Sequence, residues 1–97
     1  MTISATQTLN LNRRISDNVG TVLGWLRLSE RAFAESTGIN ASTVHSRMRG
    51  VTEWKANELP LVWEALGLEM HELLGTLPDF EEWSARVRRQ GLEPRTR

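Results

Sequence analysis

From Ser16 onward the apolar positions fall into helical spacing. Val19, Val22, Leu23 and Leu26 stand at i, i+3, i+4 and i+7, which is one stripe of an amphipathic helix. Ser16 or Asp17 is the expected cap at its start. Gly20 and Gly24 lie in the same stretch. A glycine inside a helix costs roughly 1 kcal/mol relative to alanine, and close packing of another helix over them is one reason to keep them. Ser29 is a good N-cap for a second helix, with Glu30 in its first turn and Phe33 and Ala34 facing inward. Gly38 ends that helix as a residue able to take positive φ. Ile39 follows, and Asn40 caps a third helix over 41–49. Val44 and Met48 are its inward i, i+4 pair, and Gly50 terminates it.

The second half reads the same way. Trp54 lies in a short connection as a plug over the core. A fourth helix over 56–66 presents Leu59, Val62, Trp63 and Leu66, with Pro60 near its start, where a missing N–H is tolerated. After Gly67 a short helical turn over 71–74 follows, with Leu68, Met70, Leu73 and Leu74 as core candidates. Gly75 to Pro78 is a break. Phe80, Trp83 and Val87 then give residues 79–90 a further amphipathic helix. Alternating strand patterns and internal repeats are absent. The expected fold is all-α: a compact bundle of about five helices containing two short helices joined by a tight turn, plus a C-terminal amphipathic helix. Residues 1–15, rich in Thr, Ser, Asn and Gln, read as a flexible arm ending in Arg13 and Arg14. The bundle is expected over 16–75, the added helix over 76–90 and a tail over 91–97.

Composition narrows the classes. Ninety-seven residues make one domain, and 39% hydrophobic content supports a modest core. There is no cysteine, which excludes disulfides and thiolate metal sites. No apolar run approaches the ~20 residues of a membrane span, and Met1 to Asn12 lacks the apolar stretch of a secretory signal. A soluble, cytoplasmic protein is expected, with no membrane partner. Net charge is zero, but its distribution is uneven. Residues 1–50 carry six arginines against Asp17, Glu30 and Glu35, residues 51–85 carry Lys55 alone against eight acids, and residues 86–97 carry five arginines against Glu93. A balanced total can conceal a basic face suited to phosphate. Enzyme chemistry finds little support. There is no glycine-rich phosphate loop, no cysteine nucleophile and no histidine pair at ligand spacing. The carboxylates Glu81 and Glu82 are adjacent, so on a helix they point apart. No catalytic residue, metal, cofactor or small-molecule ligand is expected.

The informative stretch is SERAFAESTGINASTVHSRMRG, residues 29–50. Two short helices crossing steeply need a small residue at the crossing, a glycine in the turn and a hydrophobe after it. Ala34, Gly38 and Ile39 occupy those places, and Val44 locks the second helix to the first. The outer face of that second helix is then free of core duties. In this register the chain resembles the helix-turn-helix family of phage Cro and repressor proteins, the lambda-repressor-like DNA-binding domains. The segment RMRGVTEWKANELPLVWEALGLEMHELLG extends the likeness, which covers about residues 17–75.

The resemblance implies a sequence-specific transcription regulator, a phage-type repressor that binds double-stranded DNA with helix 41–49 in the major groove. By position, it implies that Ala41, Ser42, His45 and Ser46 face base edges, with His45 donating to guanine N7 or O6. Thr43, Arg47, Arg49 and Arg31 would lie near phosphates, and Arg13 and Arg14 would form an arm reaching along a groove. Three positions depart from the family pattern. Glu30 stands where a glutamine often contacts phosphate, Ala41 replaces a longer polar residue, and Arg47 falls where relatives place an apolar side chain. Segment 78–90 has two open roles: folding back onto the domain, or pairing with its copy in a homodimer, which the resemblance favours. The competing functional class is a protein-interaction module, an antitoxin or adaptor built on the same bundle, suggested by the acidic 51–85 segment and its tryptophans.

Overall fold

The computed structural model describes the backbone of residues 5–90 and the side chains of residues 11–90. Six helices follow in order: α1 (Ala5–Leu26), α2 (Glu30–Thr37), α3 (Ala41–Met48), α4 (Leu59–Leu66), α5 (Met70–Leu74) and α6 (Phe80–Arg89). The described residues contain no strand, and the fold is an all-α bundle. No helix of the described residues is long and apolar enough to cross a membrane.

The stripe expected from spacing forms the core. Val19 and Val22 are fully buried on α1, as are Phe33 on α2, Val44 on α3, Val62 and Leu66 on α4, Leu73 on α5, and Trp83 and Val87 on α6. Every helix thus contributes to one cluster, and full burial of such a side chain stabilises by roughly 1.5–3 kcal/mol. α1 packs on α3, α4 and α5, while α2 packs on α3 and α4. α1 is therefore the post around which the α2–α3 pair is set.

α1 begins well before the start read from sequence. Residues 5–15, expected as part of a flexible arm, belong to this helix, whereas residues 1–4 and the tail 91–97 lie outside the described residues. The cause is tertiary. Ile15 extends the apolar stripe by one turn and is only 3% exposed. Asn12 accepts the backbone N–H of Trp54 at 2.8 Å. Ser16 is not a cap. Its hydroxyl donates to the carbonyl of Arg47 at 2.9 Å and accepts the indole N–H of Trp54 at 2.9 Å. Trp54 is thereby pinned as the buried plug the sequence suggested.

Other differences are local. α4 starts at Leu59 rather than at residue 56, because residues 56–58 form a turn and Pro60 sits within the first two helical positions. Met70, expected in the core, is 54% exposed. α5 is five residues long and turns Leu73, not Met70, inward. The two glycines of α1 are not needed for packing. A Cβ on Gly20 would meet only Met48 at 3.8 Å, an ordinary contact, and one on Gly24 would meet nothing within 4 Å. The strained position lies at the end of α1, where Arg27 adopts φ 57° and lets Leu28 N–H bond the carbonyl of Leu23 at 3.0 Å. Glycine usually fills such a left-handed helix end.

α6 folds back on its own chain. Trp83 is fully buried and donates its indole N–H to the carbonyl of Leu66 at 2.9 Å. Its ring lies 5.0 Å from that of Trp25, which also meets Phe80 edge-on at 5.6 Å. Arg86 grips Glu72 through both Nη atoms, at 3.1 and 2.9 Å, and donates to the carbonyl of Gly67 at 3.0 Å. Burial pushes the Glu72 carboxyl up, but the Arg86 hydrogen bonds, joined by the Glu69 N–H, leave it below its ordinary value. Trp83 and Val87 are thus committed within the chain, and of the stripe Phe80 alone stays exposed, at 45%.

Candidate nucleic-acid interface

The α2–α3 unit is fixed at its ends by its own side chains. Ser29 caps α2 by accepting the N–H of Ala32 at 3.0 Å. Gly38 takes φ 78° after α2, and its N–H returns to the carbonyl of Ala34 at 2.9 Å. Thr37 Oγ1 then accepts the N–H of Ile39 at 3.2 Å, which ties the turn to the helix before it. Asn40 caps α3, its Oδ1 accepting both the N–H of Ser42 at 2.8 Å and the Ser42 hydroxyl at 2.6 Å. These contacts are local and leave the free side of α3 outside the core.

That free side carries Ala41, Ser42, His45 and Arg49, all exposed. Thr43 and Ser46 flank it, half-buried. The Ser42 hydroxyl spends its hydrogen on Asn40, so it offers lone pairs outward. His45 is bracketed: Nδ1 lies 3.2 Å from Glu30 Oε1, and Nε2 accepts from Arg49 Nε at 3.4 Å. Beside this face stand Arg31 on α2 and Arg13 on α1; these and Arg14, also on α1, are exposed and without a carboxylate partner among the described residues. A groove between α1 and the end of α3 is lined by Asn12, Arg13, Asp17, Met48, Arg49 and Glu53. Arg13 is therefore a helical position beside that end of α3, whereas Arg14, also helical, lines a separate hollow with Asn18, Gly75 and Leu77; neither belongs to an arm.

Arg47 does not belong to this surface. It is 7% exposed and points inward, in the slot where the family resemblance places an apolar residue. Its Nε and Nη2 form a two-pronged grip on Glu58 at 2.9 and 2.8 Å, and Nη1 donates to the Thr52 hydroxyl at 2.6 Å. Hydrogen bonding to Glu58 raises the Arg47 guanidinium further, against the opposing effect of burial. The same contact holds the Glu58 carboxyl below its ordinary range, with the N–H of Lys55 at 3.0 Å helping. The expectation of a phosphate contact at Arg47 is therefore corrected, because its donors are taken up by Glu58 and Thr52. What the residue does is fasten the loop after α3 to the start of α4.

The sequence grouped Ala41, Ser42, His45 and Ser46 at the base edges; Ala41, Ser42 and His45 are exposed together with Arg49, while Ser46 is half-buried at the edge of that face. Sequence reasoning missed Glu30 as a partner of His45. The two are 15 residues apart and meet only because α2 lies across α3. Among the described residues no group of three or more His, Asp or Glu is placed to hold a metal ion. Comparison with family models, with curated proteins and with solved structures gives no match to this chain.

Proposed function

We propose that the chain is a sequence-specific DNA-binding transcription regulator of the lambda-repressor-like kind, a repressor that lays α3 in the major groove of double-stranded DNA. The observation that carries this reading is the division of α3 into two sides. Val44 and the paired Arg47 are buried, while Ala41, Ser42, His45 and Arg49 face outward beside unpaired arginines. An exposed, capped helix of two turns fits a groove about 12 Å wide. Polar groups of this type touch base edges, and flanking guanidinium groups position the protein on phosphates without reading sequence. Arg31, Arg49, Arg13 and Arg14 are the phosphate candidates, and neutralising them releases counterions and makes binding fall steeply with salt. Because Trp83 and Val87 are used within the chain, pairing of two copies through 78–90 would rest on Phe80 and the outer side of α6.

The test is selection of bound duplexes from a random pool, in parallel with the His45→Ala variant. A defined site that loses one position in the variant supports the reading, and a palindromic site also gives the subunit number. If no duplex is retained at low salt, the reading fails and a protein-interaction module takes its place.

A further inference from the structure

His45 stands between two charges of opposite sign, and each end of its ring has one. Nδ1 faces Glu30 Oε1 on α2 at 3.2 Å. Nε2 faces the Nε–H of Arg49, one turn further along α3, at 3.4 Å. Among the described residues no other charged side chain pairs with this ring. An ionised carboxylate can only accept, and a guanidinium can only donate. The neutral ring that satisfies both neighbours carries its hydrogen on Nδ1 and its lone pair on Nε2. The other tautomer would set a lone pair against the carboxylate and an N–H against an N–H. The side chains of His45 and Glu30 are both partly exposed, 56% and 36%, so their contact adds little stability. The effect of the two ring contacts is on the tautomer, because both favour the same one.

We infer that Glu30 determines base preference in the proposed DNA interface: by holding His45 in its Nδ1–H form it turns a hydrogen-bond acceptor, Nε2, toward the groove. This rests on the DNA-binding reading above. A base facing that acceptor must offer a donor on its major-groove edge, and adenine N6 and cytosine N4 do so, whereas guanine and thymine present acceptors there. The contact from Arg49 is long. Its transfer to a phosphate frees the Nε2 lone pair for the base. The role is the reverse of donation to guanine, which the family resemblance implied for His45. Glu30 acts through His45, so it is a positioning residue. It is placed at the first position of α2, where a carboxylate would otherwise only repel phosphate.

Two measurements test this on the intact chain. The first is ring-nitrogen NMR of His45 in the free protein at pH 8. The expected result is the Nδ1–H form in the wild type and a mixture of tautomers in Glu30→Gln and Glu30→Ala. An Nε2–H form in the wild type, or a spectrum unchanged by both variants, overturns the inference. The second uses four duplexes that differ only at the base whose preference disappears in His45→Ala. The wild type is expected to favour adenine or cytosine over guanine or thymine about fivefold, the worth of one hydrogen bond. Both Glu30 variants are expected to bind with the same salt dependence but with that preference lost. Salt-dependent binding in which guanine is preferred, or in which the Glu30 variants keep the wild-type preference, overturns the inference and leaves the DNA-binding reading standing. If no duplex is bound at low salt, both fall.

Discussion

Arg47 and Arg49 are two residues apart on one helix end, yet they have opposite fates. Arg47 is buried, gripped by Glu58 and Thr52, and holds the loop after α3 to α4. Arg49 is exposed, and among the described residues its side chain makes one long hydrogen bond, to His45. The difference comes from the helix period: two residues turn a side chain through more than half a revolution, so one position points to the core and the other to solvent. Residue type alone does not tell a structural arginine from a binding one. What decides is whether a carboxylate waits on the inner side.

The comparison breaks most visibly by removing the inner partner. Arg47→Ala leaves the partly buried Glu58 carboxylate without its cation and should lower the free energy of unfolding by about 3 kcal/mol, read by denaturant titration. Arg47→Met alone leaves the same carboxylate unpaired and should recover little, whereas the Arg47→Met, Glu58→Leu double variant should recover most of that loss, since well-packed hydrophobic replacements of both members of a buried ion pair are often neutral. Arg49→Ala should leave the midpoint unchanged. Equal losses at the two positions would refute the division.

Acid should sharpen the same contrast. Glu58 and Glu72 both have carboxyls held below their ordinary values, each by an arginine. A folded-state pKa lowered below the unfolded one gives stability that is complete above the unfolded value, about 4.3 for glutamate. That stability is lost as pH falls through the lowered folded value. Thermal unfolding should therefore be flat near neutrality and fall below about pH 4.5. The Arg47→Met, Glu58→Leu double variant should lose part of that acid sensitivity, and the part due to Glu72 and Arg86 should remain. An unchanged acid profile in the double variant would show that the Arg47–Glu58 pair does not contribute.

The smallest effects come from the C-terminal end of α1, which carries none of the candidate contact residues. Gly24→Ala should raise stability by about 1 kcal/mol, because a helical glycine is replaced where the added Cβ meets open space. Arg27→Gly should add ~0.5 kcal/mol by relieving the left-handed backbone. Neither should alter DNA binding. A loss of stability in Gly24→Ala would mean that another element packs over that position.

The caps and the turn were legible in the sequence because their causes are local. Ser29 bonds three residues on, Asn40 two residues on, and Gly38 needs only its own backbone. The core face of α1 was legible too, since Val19, Val22, Leu23 and Leu26 repeat with the helix. What escaped depends on distant partners. The first half of α1 looked polar because its reasons lie in Trp54, which bonds Asn12 and Ser16 from 42 and 38 residues away. Arg47 looked like a binding residue because Glu58 is beyond a loop. Glu30 looked unfavourable because the fold that sets it beside His45 is not written in its own neighbourhood.

The most direct test of the two-sided helix is the salt dependence of duplex binding, measured by fluorescence anisotropy for the wild type, Arg49→Ala and Arg47→Met. A steep fall of log K with log salt is expected in the wild type. The slope should be shallower by about one unit in Arg49→Ala, as expected for one lost phosphate contact, and unchanged in Arg47→Met. A slope that is lowered by the Arg47 substitution and untouched by the Arg49 one would contradict the two-sided helix.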